Sequence, residues 1–131
     1  MDILFWAAGI LAAVFHVAFF VVESILWATP TIKKRFGTSD EEAAATQLLA
    51  FNQGFYNLFL AAAVFVGLGL TLGTTDYGLV GTALAAWSCL SMLAAGIVLW
   101  FSAKHLRLGA SVQALPPAIA LGALLLANVQ L

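Results

Sequence analysis

The sequence predicts an all-α integral membrane protein, a bundle of four transmembrane helices with both termini outside and two basic loops in the cytoplasm. Three observations predict it. Of the 131 residues, 63% are hydrophobic and only 8% are charged, against about 25% charged in an average soluble domain. The apolar residues fall into four runs, and a spanning helix needs roughly 20 such residues. All five Lys and Arg residues lie in two of the three loops between those runs. So few charges cannot clothe the surface of a soluble domain of this size. The chain is too apolar for disorder and has no basic stripe for nucleic acid. A single four-helix domain over residues 1–131 is expected.

The first run, Ile3 to Ala28, is interrupted only by His16, Glu23 and Ser24. It has no basic residue before it and is too long for the apolar region of a signal peptide, so it reads as a retained helix. It ends at Thr29-Pro30, because proline disfavours helix in the residue before it. Residues 29–42 read as the one polar loop. Ser39 and Glu42 form a capping-box pattern, with Asp40, Glu41 and Glu42 in a first helical turn where the dipole favours negative charge. The second helix therefore starts near Ser39, meets lipid near Leu48 and leaves near Leu72. Gly73 to Gly78 reads as a tight turn, and the third span runs from about Gly78 to Ala103.

Lys104, His105 and Arg107 make the next short loop. The fourth run, Ser111 to Leu131, is interrupted early by Pro116 and Pro117. A regular helix from Pro116 would be only about 24 Å long, so Ser111 to Leu115 is expected to be irregular or kinked. Lys33, Lys34 and Arg35 share one side of the membrane with Lys104 and Arg107, which the positive-inside rule makes cytoplasmic. The small-residue pairs Gly69/Gly73, Ala8/Ala12 and Ala118/Gly122 are candidates for close helix packing. Trp6, Trp27, Trp87 and Trp100 lie mostly near span ends, as in an aromatic belt. The lone Cys89 permits neither an internal disulfide framework nor a thiolate zinc site.

An ionisable group within the hydrocarbon costs several kcal/mol and marks a candidate functional site. His16 and Glu23 are the two, spaced so that a regular helix puts them on one face about 10 Å apart along its axis. Asn52, Gln53, Tyr56 and Asn57 fall within an arc of about 140° on the second helix. Amides can hold a carboxyl or a polar ligand without adding charge. As mere interhelical glue each bond is worth only about 0.6 kcal/mol. With Gln113 at the start of the fourth helix, these residues are expected to line one pocket in the cytoplasmic half of the bundle. Ser88 and Ser91 read as structural, their hydroxyls bonding back to the backbone. No catalytic motif is present, and one histidine with one carboxylate makes a poor metal site. No cofactor or metal is called for.

The run from Ala13 through His16, Glu23 and Trp27 to Pro30 resembles the opening of a family of small bacterial membrane proteins, catalogued as domain of unknown function thirteen-oh-four. Asn52-Gln53-Gly54-Phe55-Tyr56-Asn57 resembles its second-helix signature, and Gln113-Ala114-Leu115-Pro116 its fourth-helix start. The resemblance covers nearly the whole chain and implies four helices in a bacterial membrane, without implying an activity. A weaker resemblance is to the membrane-associated eicosanoid and glutathione enzymes, four-helix proteins of similar length that work as trimers. Those enzymes carry an arginine in the second helix that helps hold glutathione, whereas here no Lys or Arg lies between Arg35 and Lys104.

Three functions remain open at this point. One is a small transporter in the inner (plasma) membrane, in which Glu23 exchanges protons with a small polar or cationic solute and His16 relays them. That reading requires a homo-oligomer, because four helices leave little room for a path. A second is a membrane enzyme acting on a lipophilic substrate with Glu23 and His16 as acid and base. A third is a structural subunit with no ligand. Besides the lipid bilayer, the expected partner is a small molecule or a lipid.

Overall fold

Four long helices carry the chain back and forth, and in the computed structural model residues 3–73 and 75–129 are described. Helix α1 is Ile3–Phe20, which contains no proline and no charged side chain. It continues into a π-helical segment, Val21–Ile25, where Leu26 N–H donates to the Val21 carbonyl at 3.0 Å, one residue further back than in an α-helix. The expected regular helix to Ala28 is thus widened and then stopped, with Thr29 N–H closing a turn on the Leu26 carbonyl at 2.9 Å.

The predicted polar loop holds a short helix, α2, over Pro30–Phe36. Its ends explain it. Pro30 sits in the first turn, where its missing N–H costs nothing, and Gly37 closes the far end at φ 66°, a left-handed conformation that glycine adopts freely. Helix α3 spans Asp40–Thr71 and begins with the capping box expected of Ser39 and Glu42. Ser39 Oγ accepts from Glu42 N–H at 3.1 Å, and Glu42 Oε2 accepts from Ser39 N–H at 2.9 Å. Lys33 pairs with Asp40 and ties α2 to this first turn.

Helix α4 spans Thr75–Ser102, three residues earlier than expected, with Asp76 in its first turn. The predicted turn from Gly73 is correspondingly shorter, and its residue 74 lies outside the described residues, as does the expected end of the fourth helix at Leu131. A 3₁₀ turn, Lys104–Leu106, leads into α5, Arg107–Val129. Here the expectation of an irregular Ser111–Leu115 is overturned, since α5 is helical from Arg107 and carries Pro116 and Pro117 inside it. The prolines withhold N–H groups from two carbonyls, those of Val112 and Gln113. Both proline rings are buried among neighbouring helices, and the preceding turn lies against α4, where a Cβ on Gly96 would sit 2.8 Å from Ala114 Cβ. Such packing is what allows proline inside a membrane helix.

α1 packs on α3 and α5, and α4 packs on the same two, which closes a ring of four. The contacts of Gly9 with Val64 and Leu68, and of Gly54 with Ser24, make α1 and α3 antiparallel. The core consists mainly of small side chains, among them Ala8, Ala12, Ala61, Ala85 and Ala120, with Phe5, Leu68 and Met92 as its large members. Large apolar side chains such as Leu48, Phe59, Leu79, Phe101 and Leu125 point outward instead. That inversion fits a lipid solvent, where helices associate by close packing rather than by a hydrophobic drive. All four helices are long and apolar enough to cross a membrane.

The helices approach closest at glycines the pair pattern did not single out. A Cβ on Gly67 would lie 2.7 Å from Ala85 N and from the Gly81 carbonyl, whereas Gly69 and Gly122 face open space. Of the expected pairs, Ala8 and Ala12 are in the core. Gly67→Ala is therefore expected to destabilise the bundle by about 1–3 kcal/mol through overpacking. Gly69→Ala should be neutral or stabilise it by up to about 1 kcal/mol. Unfolding titrations of the two variants in mixed micelles check the contrast.

Candidate functional site

The site is built where the π-helical segment of α1 meets α3. A π turn admits one extra residue, and such turns occur often at functional positions. Here it brings Ser24 against α3, where its hydroxyl donates to the Phe51 carbonyl at 2.8 Å. Gly54 makes the approach possible. A Cβ there would collide with Ser24 Oγ and stand 3.0 Å from Ser24 N and 3.1 Å from the Phe20 carbonyl.

This close contact sets Glu23 beside Asn57, whose Nδ2 donates to Glu23 Oε2 at 2.8 Å and also to the Gln53 carbonyl at 3.3 Å. Asn57 is only 5% exposed, so the amide lies behind the carboxyl, toward the bundle interior. In front of the carboxyl is a groove of about 690 Å³ lined by Trp27, Thr46, Leu49, Ala50, Asn52, Gln53 and Tyr56. Trp27 is fixed as a wall: its Nε1 donates to the Ala43 carbonyl at 3.2 Å and to Thr46 Oγ1 at 3.3 Å, and its ring packs on Phe36. Asn52 Nδ2 is turned back onto the Leu48 carbonyl at 3.2 Å. Leu49 and Tyr56 are both well exposed, so the groove opens sideways, along the flank of the bundle.

The predicted residues thus separate into three places. Glu23, Asn52, Gln53 and Tyr56 share the groove, with Asn57 joined to it through the carboxyl. His16 is apart, fully buried in the core, its Nδ1 bonded to the Ala12 carbonyl at 2.9 Å and its ring edge-to-face with Phe19. Because the carbonyl can only accept, Nδ1 carries the proton and Nε2 presents a lone pair. Nε2 is buried with no hydrogen-bond partner among the described residues. Gln113 lies on α5, outside the residues that line the groove. The even helical phase relating His16 to Glu23 is not kept past Phe20, where the turn widens.

Sequence reasoning missed Ser24, Thr46 and Gly54. Gly54 stands inside the Asn52–Asn57 signature, so a close backbone approach was readable there. Thr46 lies seven residues before Gln53, two turns along the same face. The hydroxyls of Ser88 and Ser91 do bond back to the Leu84 and Trp87 carbonyls.

Chemically the groove offers one carboxyl backed by a neutral amide. The one ion pair among the described residues, Lys33 with Asp40, does not involve it. A carboxyl without a cationic partner can exchange a proton with its surroundings or hold a cation or a strong hydrogen-bond donor. The fold and site define a multi-pass membrane protein of four helices with a polar groove at one carboxyl. The chain belongs to the family described as "Protein of unknown function (DUF1304)", whose model matches residues 10–125. Neither a curated protein nor a solved structure matches it.

Removing the amide should expose its role. Asn57→Leu leaves the Glu23 carboxyl without its side-chain donor and is expected to cost about 1–3 kcal/mol. Glu23→Gln keeps an acceptor for Asn57 and should cost less. A double-mutant cycle of unfolding free energies is expected to give a coupling of about 0.5–3 kcal/mol between the two positions.

Proposed function

We propose that the protein binds a small cationic or hydrogen-bond-donating solute at Glu23 and couples that binding to proton exchange. The observation that carries this reading is the Glu23 carboxyl, fixed by Asn57, at the wall of a laterally open groove. The amides of Asn52 and Gln53 and the hydroxyl of Tyr56 would orient the polar end of the solute, while Trp27 and Leu49 would cover an apolar part. The sideways opening favours an amphiphile that enters from the membrane surface. A cation and a proton then compete for one carboxyl, which is the elementary step of proton-coupled exchange.

In this reading the basic loops are cytoplasmic and both termini outside, in the plasma membrane of a bacterium. The groove then lies in the cytoplasmic half. His16 is sealed in the core, and because four helices leave little room for a path, movement across the membrane would need a homo-oligomer. Asn52, Gln53 and Tyr56, exposed on the flank of α3, would be covered in part by a second copy. The enzyme reading keeps the lateral opening but loses its acid–base pair, because His16 does not share the groove with Glu23.

The test uses dodecylammonium, an alkyl chain with a primary ammonium, and the protein in nanodiscs. Saturable binding is expected to weaken at least about tenfold in Glu23→Gln, the loss of one charge-assisted contact. Binding should strengthen as pH rises, since the ionised carboxyl is the binding form, and this dependence should vanish in the variant. In proteoliposomes a pH gradient should drive faster uptake of the probe with the wild type than with Glu23→Gln, whose rate should match that of protein-free vesicles, where the neutral amine crosses unaided. Equal binding by the two proteins would sink the proposal.

A further inference from the structure

A second groove lies at the other corner of the same end of the bundle, between the last turns of α4 and the first turns of α5. It measures about 300 Å³ and is walled by Gly96, Ile97, Trp100, Phe101, Ala114 and Leu115, a volume at the low end for ligand sites. Its walls are almost wholly apolar, and Ile97, Phe101 and Leu115 are exposed on the flank of the bundle. A slot of this kind takes an alkyl chain rather than a polar solute.

Charge stands over one end of it. Arg107 lies above the Trp100 ring with its guanidinium carbon 5.2 Å from the centroid, and its Nε donates to the Trp100 carbonyl at 3.4 Å. Trp100 is itself a wall of the groove. The stacked guanidinium keeps its two NH2 groups free of protein acceptors among the described residues and is held in one orientation at the mouth. Lys104 is exposed in the turn before it. No acidic residue follows Asp76 in the sequence, and the one ion pair among the described residues is elsewhere. Neither cation is in an ion pair among the described residues, and Arg107 stands on Trp100 at the mouth of an apolar slot that runs about 8 Å down α4 from Phe101 to Gly96.

We infer that this groove binds an anionic phospholipid of the adjoining leaflet, one acyl chain lying between α4 and α5 and the phosphate held by Arg107 and Lys104. Charge complementarity selects the anionic headgroup, and the apolar slot selects a membrane lipid over a free phosphate. The site is separate from the Glu23 groove and does not depend on the function proposed for it.

The experiment reconstitutes the whole chain in phosphatidylcholine vesicles containing a minor fraction of lipid brominated on its chains, either phosphatidylglycerol or phosphatidylcholine. Bromine quenches tryptophan on contact, and the part of the quenching lost in Trp100→Phe reports the groove. Brominated phosphatidylglycerol is expected to quench Trp100 at a concentration lower by on the order of tenfold, the preference that two surface cations supply. High salt should erase the preference in the wild type. Lys104→Gln with Arg107→Gln should erase it too, while Arg107→Lys, which keeps the charge, should retain most of it. Equal quenching by both lipids overturns the proposal, and so does a preference that survives loss of both cations. Protection of Trp100 from both lipids would also overturn it, by showing the face covered by a second copy of the chain.

Discussion

The close approach of the α1 π turn to Gly54 is the constraint on which the candidate site depends. Ser24 can bond the Phe51 carbonyl only because position 54 has no Cβ. With that contact made, Glu23 is one residue away from the interface and meets Asn57 at 2.8 Å. The same widening ends α1 a turn early and sends the chain into α2, which places Trp27 over α3 as the groove's far wall. A regular helix through residues 21–28 would turn these side chains to other faces. The energetic cost of a π turn is set against one interhelical hydrogen bond from Ser24, one from Asn57 and the packing of Phe20 on Phe55.

A lipid solvent explains why so much specificity rests on glycine. Apolar area cannot choose a register when the outside is as apolar as the inside. The register is chosen where backbones can touch, at Gly54, Gly67 with Gly81, and Gly96 with Ala114, and where a polar group finds one partner. Those contacts are spread along the bundle. Gly67 fixes α3 on α4 toward one end, Gly54 fixes α1 on α3 toward the other, and Gly96 fixes α4 on α5. Large side chains are left for the lipid side, where their shape matters least.

Much of this was legible in the residues. Four apolar runs gave four spans, and Ser39 with Glu42 gave the α3 start to the residue, because a capping box is local chemistry. Asn57 and Glu23, expected among the residues of one pocket, are hydrogen-bonded, since a carboxyl and an amide within hydrocarbon have few other partners to find. What failed was phase. The reading of His16 and Glu23 as one face assumed an unbroken 3.6-residue period, and nothing in Val21-Val22-Glu23-Ser24-Ile25 announces a π turn. The short α2 was hidden by its polarity, although Pro30 and Gly37 are an ordinary start and stop. The expectation of irregular backbone before Pro116 and Pro117 rests on burial in protein making such backbone tolerable. In a bundle the alternative to helix is worse, so the helix persists through them.

His16 and Glu23 therefore stand in different electrostatic situations despite sharing a helix. The carboxyl has a donor behind it and a groove before it, so its charge can be met by a ligand or a proton. The imidazole has one nitrogen committed to its own helix and the other enclosed without a protein donor among the described residues. An unpaired acceptor in such a place costs on the order of 1–3 kcal/mol, and protonating it would create a cation where nothing described could balance it. A relay through His16 would have to supply that donor, by water or by movement of a neighbouring helix. Of the two titratable groups on this helix, the carboxyl is the one that faces an open groove.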